Sequence, residues 1–162
     1  MRPQAHLALC KFLKDTSTLG PIYEFGSLQV DPQYLASNLR PLFPKHAFVG
    51  CDMRPGLGVD LILDVEKIAL PDKSVGMVIM LDTLEHVQRP VQAMDECYRI
   101  LKPGGHIFIS SVMRFPIHDY PLDYWRFTPA AFSFLLRKFK VSGTSFDGQP
   151  AFPTGVYGWG TK

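Results

Sequence analysis

The strongest constraint on what this chain can fold into lies between positions 75 and 109. A continuous apolar run, Val75 to Leu81, leads into Asp82-Thr83-Leu84-Glu85-His86-Val87. Leu101-Lys102-Pro103-Gly104-Gly105 follows, and then a second apolar run, Ile107 to Ile109. Short apolar runs bounded by turn residues read as strands buried on both faces. Between them Val91, Met94, Cys97 or Tyr98, and Leu101 repeat at helical spacing. Pro90 suits the first turn of that helix, where a missing N–H costs nothing. Lys102 suits its negative end, and Pro103-Gly104-Gly105 is expected to stop it. Strand, helix, strand predicts a right-handed parallel crossover. Ligands of open parallel sheets bind beyond the carboxyl ends of the strands. Positions 82–86 are therefore expected to border a small-molecule site.

The alternation extends in both directions. Pro3 to Lys14 carries a helical stripe at Leu7, Cys10 and Leu13 or Phe12. Ile22 to Phe25 reads as a first strand, with Gly26 opening a turn. A short helix fits Pro32 to Leu39, and strands fit Ala47 to Asp52 and Asp60 to Asp64. Residues 53–58, with Pro55, Gly56 and Gly58, read as a loop. A fifth strand spans about His106 to Val112. Thr128 is an N-cap for a helix with Phe132, Leu135 and Leu136 on one face. The last two strands, Phe139 to Phe146 and Gly155 to Thr161, are joined by a short link containing Pro and Gly. Such a link suits an antiparallel pair.

Composition removes several function classes. The 162 residues are enough for one domain, and the hydrophobic and charged fractions, 46% and 20%, are ordinary for a globular protein. The net charge of +2 is no basic patch, so there is no strong nucleic-acid signal. No apolar run approaches a membrane span. The N-terminus makes a poor secretion signal. Cys10, Cys51 and Cys97 are far apart and odd in number, which argues against a disulfide framework or a zinc site. A cytoplasmic location and no bound metal are expected.

The Leu81–His86 segment, followed by Leu101-Lys102-Pro103-Gly104-Gly105, resembles the class I S-adenosylmethionine-dependent methyltransferases. Their fourth strand often ends in Leu-x-x-Leu-Glu-His, and Leu-Lys-Pro-Gly-Gly often precedes their fifth. The resemblance runs from about Ile22 to Phe139. The segment Asp123-Tyr124-Trp125-Arg126-Phe127-Thr128-Pro129 is similar to one bacterial, type 11-like branch. The resemblance implies an α/β, Rossmann-like, seven-stranded, mostly parallel sheet with an antiparallel last strand and helices on both faces. The expected organisation is a single domain over 1–162, with 1–20 as an N-terminal helical segment and 113–127 as a loop over the active-site edge.

S-adenosylmethionine is the cofactor so implied. Glu24-Phe25-Gly26-Ser27-Leu28-Gln29-Val30 stands where the family has an acidic residue and Gly-x-Gly-x-Gly. Only Gly26 is kept, while Leu28 and Val30 replace the next two glycines. That departure rules out the standard dinucleotide loop. Gly26 lets the backbone turn sharply beside a ligand, though a plain strand-to-helix turn would use it equally. Glu24 is expected to accept a hydrogen bond from the ligand's ammonium group, with Ser27 beside it. Asp52 is expected on the ribose hydroxyls, or as a turn cap with Arg54. Met53 is expected along the adenine. Asp64 is placed near the adenine amino group, or as a surface turn residue, with Val65 supplying backbone contacts. Asp82, Thr83 and Leu84 would border the methionine part, and His86 reads as a residue fixing that loop.

The polar and aromatic loop 115–127 would hang over the same sheet edge. His118 and Asp119 are candidates to take a proton from an acceptor hydroxyl or amine. Tyr124 and Trp125 are candidates for stacking on the acceptor, and Arg126 for holding an acidic group. For Trp125 and Arg126, packing within the loop is the stronger expectation. The function so read is methyl transfer to a small-molecule or sugar-like acceptor. The alternative is a catalytically weak or inactive binding module, motivated by the altered glycine motif. A nicotinamide oxidoreductase is disfavoured, since the glycine fingerprint and a Tyr-x-x-x-Lys pair are lacking.

Overall fold

The apolar runs become the middle of one sheet. In a computed structural model, which describes residues 2–30, 38–118 and 123–162, the strands are β1 (Ile22–Phe25), β2 (Phe48–Asp52), β3 (Leu61–Ile62), β4 (Val75–Met80), β5 (Leu101–Val112), β6 (Val141–Gln149) and β7 (Phe152–Thr161). Their order across the sheet is β3-β2-β1-β4-β5-β7-β6. Five strands pair in parallel from β3 to β5, and β7 runs antiparallel to both β5 and β6. Every residue of β4 is buried, as its unbroken apolar sequence requires of a strand covered on both faces. Strand order reverses between β1 and β4, which creates a crevice at their carboxyl ends.

Among the described residues three helices cover the sheet, α1 (Pro3–Lys14), α2 (Pro90–Ile100) and α3 (Pro129–Leu135), and each has proline in its first turn. Ala5 and Leu9 of α1 pack on Ile22, Met77, Ile79 and Phe108. Met94 and Cys97 of α2, with Phe132 and Leu135 of α3, pack on the other face against Val78, Met80, Ile107 and Ile109. Alternate residues of β4 and β5 thus serve two separate cores. Thr128 caps α3 as predicted, its hydroxyl accepting from the Ala131 N–H at 3.1 Å.

Some boundaries differ. The helix stop at Pro103-Gly104-Gly105 is part of β5, because Leu101 already has extended backbone and pairs with Val75. The register slips between Val75 and Met77, and Gly104 takes φ +76. The glycines therefore serve a strand irregularity rather than a plain turn. The helix expected over Pro32–Leu39 falls mostly on 31–37, outside the described residues. A 3-10 turn follows at Arg40–Leu42. The last two strands extend to meet in a tight hairpin, with only Pro150 and Ala151 between them.

Candidate active site

The carboxyl ends of β1, β2, β4 and β5 converge on a cavity of about 640 Å³, a size that accepts a small-molecule ligand. At the end of β1, Gly26 has φ +82, and a Cβ there would lie 2.1 Å from Thr83 Oγ1. Only glycine fits so close an approach. Thr83 Oγ1 donates to Phe25 O at 3.2 Å and is 3.1 Å from Leu81 O, tying the ends of β1 and β4 together. Leu28 and Val30, which occupy the missing glycine positions, both line the cavity. Leu28 also covers Gly56, where a Cβ would come within 2.3 Å of its Cδ1.

At the end of β2, Asp52 lines the cavity. Its side chain is 11% exposed. Oδ1 accepts from the Arg54 N–H at 3.0 Å, and Oδ2 from the Leu28 N–H at 3.4 Å. The turn-capping contact with Arg54 and a cavity-facing position therefore coexist in one carboxylate. Met53 is exposed and also on the wall. Past β3, Asp64 accepts from the Glu66 N–H at 2.8 Å and caps a turn. Its neighbours Leu63 and Val65 line the cavity, while Asp64 does not.

Glu24 and Ser27 are buried and lie off the cavity wall. Glu24 shares the sheet face of Ile22, opposite to Phe25, because strand side chains alternate. Burial pushes its carboxyl up to about 8, against the opposing pull of Arg40.

At the end of β4, Asp82 has φ +49, a conformation that costs energy for a residue with a side chain. It is held there from two sides. Arg2 donates to it through its backbone N–H at 2.8 Å and Nη2 at 2.9 Å, and Ser110 Oγ donates at 2.8 Å. Arg2 lines the cavity, and its buried Nη1 lies 3.7 Å from Asp147 Oδ1 in an ion pair. No motif in the sequence singled out Arg2, because its contact with Asp82 spans 80 residues of chain. Leu84 is core, whereas Asp82 and Thr83 reach the wall.

A 3-10 turn, Leu84–His86, follows. Glu85 is fully buried yet lines the cavity. Its Oε2 accepts from Ser111 Oγ at 2.6 Å, and its Oε1 has no hydrogen-bond partner among the described residues. Burial, with the nearby Asp82 charge, pushes this carboxyl up to about 7. The rings of His86 and His118 meet edge to face, with centroids 4.5 Å apart. Glu85, His86 and His118 offer ligand atoms within 4.8 Å of one another.

His118 is held by Asp123. Asp123 Oδ2 accepts from the His118 N–H at 3.0 Å and lies 3.1 Å from its ring Nδ1. Arg126 donates to the same carboxylate at 2.6 Å through Nη2 and keeps it well below the usual carboxylate range. Trp125 Nε1 donates to Val87 O at 2.8 Å. The Tyr124 and Trp125 N–H groups donate to Glu85 O at 2.8 and 3.2 Å. Tyr124, Trp125 and Arg126 lie off the cavity wall. Tyr124 and Trp125 clamp the turn that carries Glu85 and His86, while Arg126 holds Asp123 and the carbonyls of Phe115 and Pro116. Asp119 lies outside the described residues.

Residues 37–109 match the family model described as a methyltransferase domain. The chain is 35% identical over 63 residues to a probable S-adenosylmethionine-dependent methyltransferase of Mycolicibacterium smegmatis, covering 37% of this chain and 24% of that protein. It is 38% identical over 66 residues to a ubiquinone biosynthesis O-methyltransferase of Saccharophagus degradans, covering 40% and 28% respectively. The chain thus aligns with about a quarter of the length of these curated relatives. Among solved structures, it superposes on a SAM-dependent methyltransferase, possible histamine N-methyltransferase, from Thermotoga maritima. The TM-score is 0.69 at 21% identity, covering 97% of this chain and 89% of the other.

Proposed function

We propose that this chain is a member of the class I S-adenosylmethionine-dependent methyltransferase superfamily, binds S-adenosylmethionine in the cavity at the switch point and methylates a small-molecule acceptor, a reading that the family-model match and the similar proteins support. When bound, the cofactor supplies a methyl group carried on a sulfonium. The observation that carries the reading is the convergence of four strand ends on one cavity. Its wall holds a carboxylate, apolar side chains and a cluster of proton-accepting groups.

The residues present fit the cofactor. Asp52 retains acceptor capacity for ribose hydroxyls beyond its two backbone contacts. Met53, Leu63 and Val65 supply an apolar wall for the adenine. Arg2, on the cavity wall, supplies a positive charge that suits the carboxylate of the amino-acid end, where Gly26, Asp82 and Thr83 also line the cavity. Glu24 and Ser27 support this end from beneath rather than by contact. Leu84 supports it through the core, and Asp64 by shaping the turn between Leu63 and Val65.

The acceptor belongs at the corner made by Glu85, His86 and His118. His118, held by Asp123, serves the loss of the acceptor's proton, and alignment of the reacting atoms supplies much of the acceleration. Asp119 remains a candidate for the same task from its place in the loop sequence. Tyr124, Trp125 and Arg126 act on the acceptor through the clamp that holds this corner.

Calorimetric titration with S-adenosylhomocysteine tests the reading. Binding by the folded chain is expected. Asp52→Ala is expected to weaken it about ten- to a hundredfold, the worth of one charge-assisted hydrogen bond. Absence of binding would overturn the cofactor assignment, and an unchanged affinity in the variant would overturn only the role of Asp52. Binding with no methyl transfer to any hydroxyl or amine compound would favour the binding-module reading.

A further inference from the structure

Glu85 presents an anomaly that methyl transfer alone does not explain. A fully buried carboxylate oxygen, Oε1, has no hydrogen-bond partner among the described residues, although Oε2 is well satisfied by Ser111. A buried polar group left unpaired is costly and points to a missing partner. Beside it stand two imidazoles that come from different elements, His86 from the turn after β4 and His118 from the loop after β5. The three side chains line one cavity and offer ligand atoms within 4.8 Å of one another.

We propose that Glu85, His86 and His118 bind a divalent transition-metal ion at the acceptor end of the cavity. Two nitrogens and one carboxylate oxygen suit zinc, cobalt, manganese or ferrous ions better than magnesium or calcium, which favour all-oxygen sets. Ligand bonds to such ions are about 2.0–2.2 Å long, so side-chain shifts on the order of 1 Å close the set. Three protein ligands leave a coordination position open, the arrangement of catalytic rather than structural sites. The surroundings agree. Metal-binding histidines commonly donate their second ring N–H to a carboxylate, which fixes the tautomer. His118 Nδ1 lies 3.3 Å from the Pro116 carbonyl oxygen and 3.1 Å from Asp123 Oδ2, two acceptors for its proton, and the Asp123 side chain is 1% exposed and itself held by Arg126. Its Nε2 is thereby left for the ion.

The role of the ion, as distinct from its binding, rests on the methyl-transfer reading. The acceptor is then a hydroxyl compound that takes the open position through its oxygen. The O–H bond breaks, the electron pair stays on the oxygen, and the proton passes to solvent. His118 serves that loss by holding the ion.

Cation binding can be measured without any acceptor. The chelator-treated chain is titrated with Co²⁺ by visible absorption and with Zn²⁺ by calorimetry. One ion per chain is expected, with no thiolate charge-transfer band, since Cys10, Cys51 and Cys97 are not ligands. His118→Ala is expected to abolish binding or weaken it at least tenfold, and Asp123→Asn to weaken it about ten- to a hundredfold. Should Glu85→Gln fail to fold, the His118 and Asp123 variants still decide the matter. No stoichiometric binding, or binding unchanged in His118→Ala, would overturn the site. S-adenosylhomocysteine is titrated in parallel. Cation binding without cofactor binding keeps the site and removes the methyl-transfer reading. Cofactor binding without cation binding does the reverse.

Discussion

Glu24 shows how one residue's fate turns on which way a strand faces. The sequence offers it to a ligand's ammonium group. On β1 it shares the face of Ile22, while Phe25 and Gly26 reach the cavity. Buried there, its carboxyl is raised to about 8. Between the ordinary carboxyl pKa and about 8, the native state keeps a proton that the unfolded chain has lost. Stability from this group therefore falls as pH rises through that window and levels off above it. Glu24→Gln removes the penalty. We expect the variant to melt about 2–4 °C higher than the parent at pH 8.5 and at the same temperature at pH 4. Thermal melts across that range check this, and parallel pH profiles for the two proteins would contradict it.

The loop after β5 is read from sequence as the acceptor's surface, and its aromatic residues behave as a clamp. Trp125 reaches Val87 through its indole N–H, and the backbone of Tyr124 and Trp125 binds Glu85 O. Arg126 is committed to Asp123 and to the carbonyls of Phe115 and Pro116. Tyr124 and Trp125 thereby fix the turn that follows β4 instead of facing the cavity, which Phe115 and His118 of the same loop line. Trp125→Phe keeps the ring and loses the hydrogen bond, which is expected to cost about 1 kcal/mol in a urea titration. Affinity for S-adenosylhomocysteine should remain within about twofold. A large loss of affinity with unchanged stability would mean that Trp125 touches the ligand.

For the molecule as a whole, the cavity is a seam bridged by noncovalent contacts between elements distant in the chain. Arg2, ahead of α1, crosses to Asp82 at the end of β4. Gly26 and Thr83 close the gap between β1 and β4. A ligand that fills this seam binds only the folded chain. S-adenosylhomocysteine at about 100 times its Kd should add about 2.7 kcal/mol, a rise in melting temperature of roughly 5–10 °C. A thermal-shift titration checks it, with Asp52→Ala giving a smaller shift at the same concentration. Among the described residues, no helix is long and apolar enough to cross a membrane.

The strand ends were legible in the sequence because burial on both faces demands unbroken apolar runs, such as Val75 to Leu81, and a ligand site must start where those runs stop. Asp52, Asp82 and Thr83 follow from that logic, Met53 and Val65 from the resemblance, and all five line the cavity. Gly26 was legible because the strand end admits no side chain. Local spacing carries no record of strand facing, so Glu24 and Asp64 could not be separated from the true wall. Nor does it record contacts between distant segments. Arg2 meets Asp82, and His118 meets Glu85 and His86, only after the crossover folds β5 beside β4. Glu85, His86 and His118 are ordinary polar residues in the linear chain. Tertiary structure alone buries Glu85, sets Asp123 behind His118 and brings His118 to the adjacent pair Glu85 and His86.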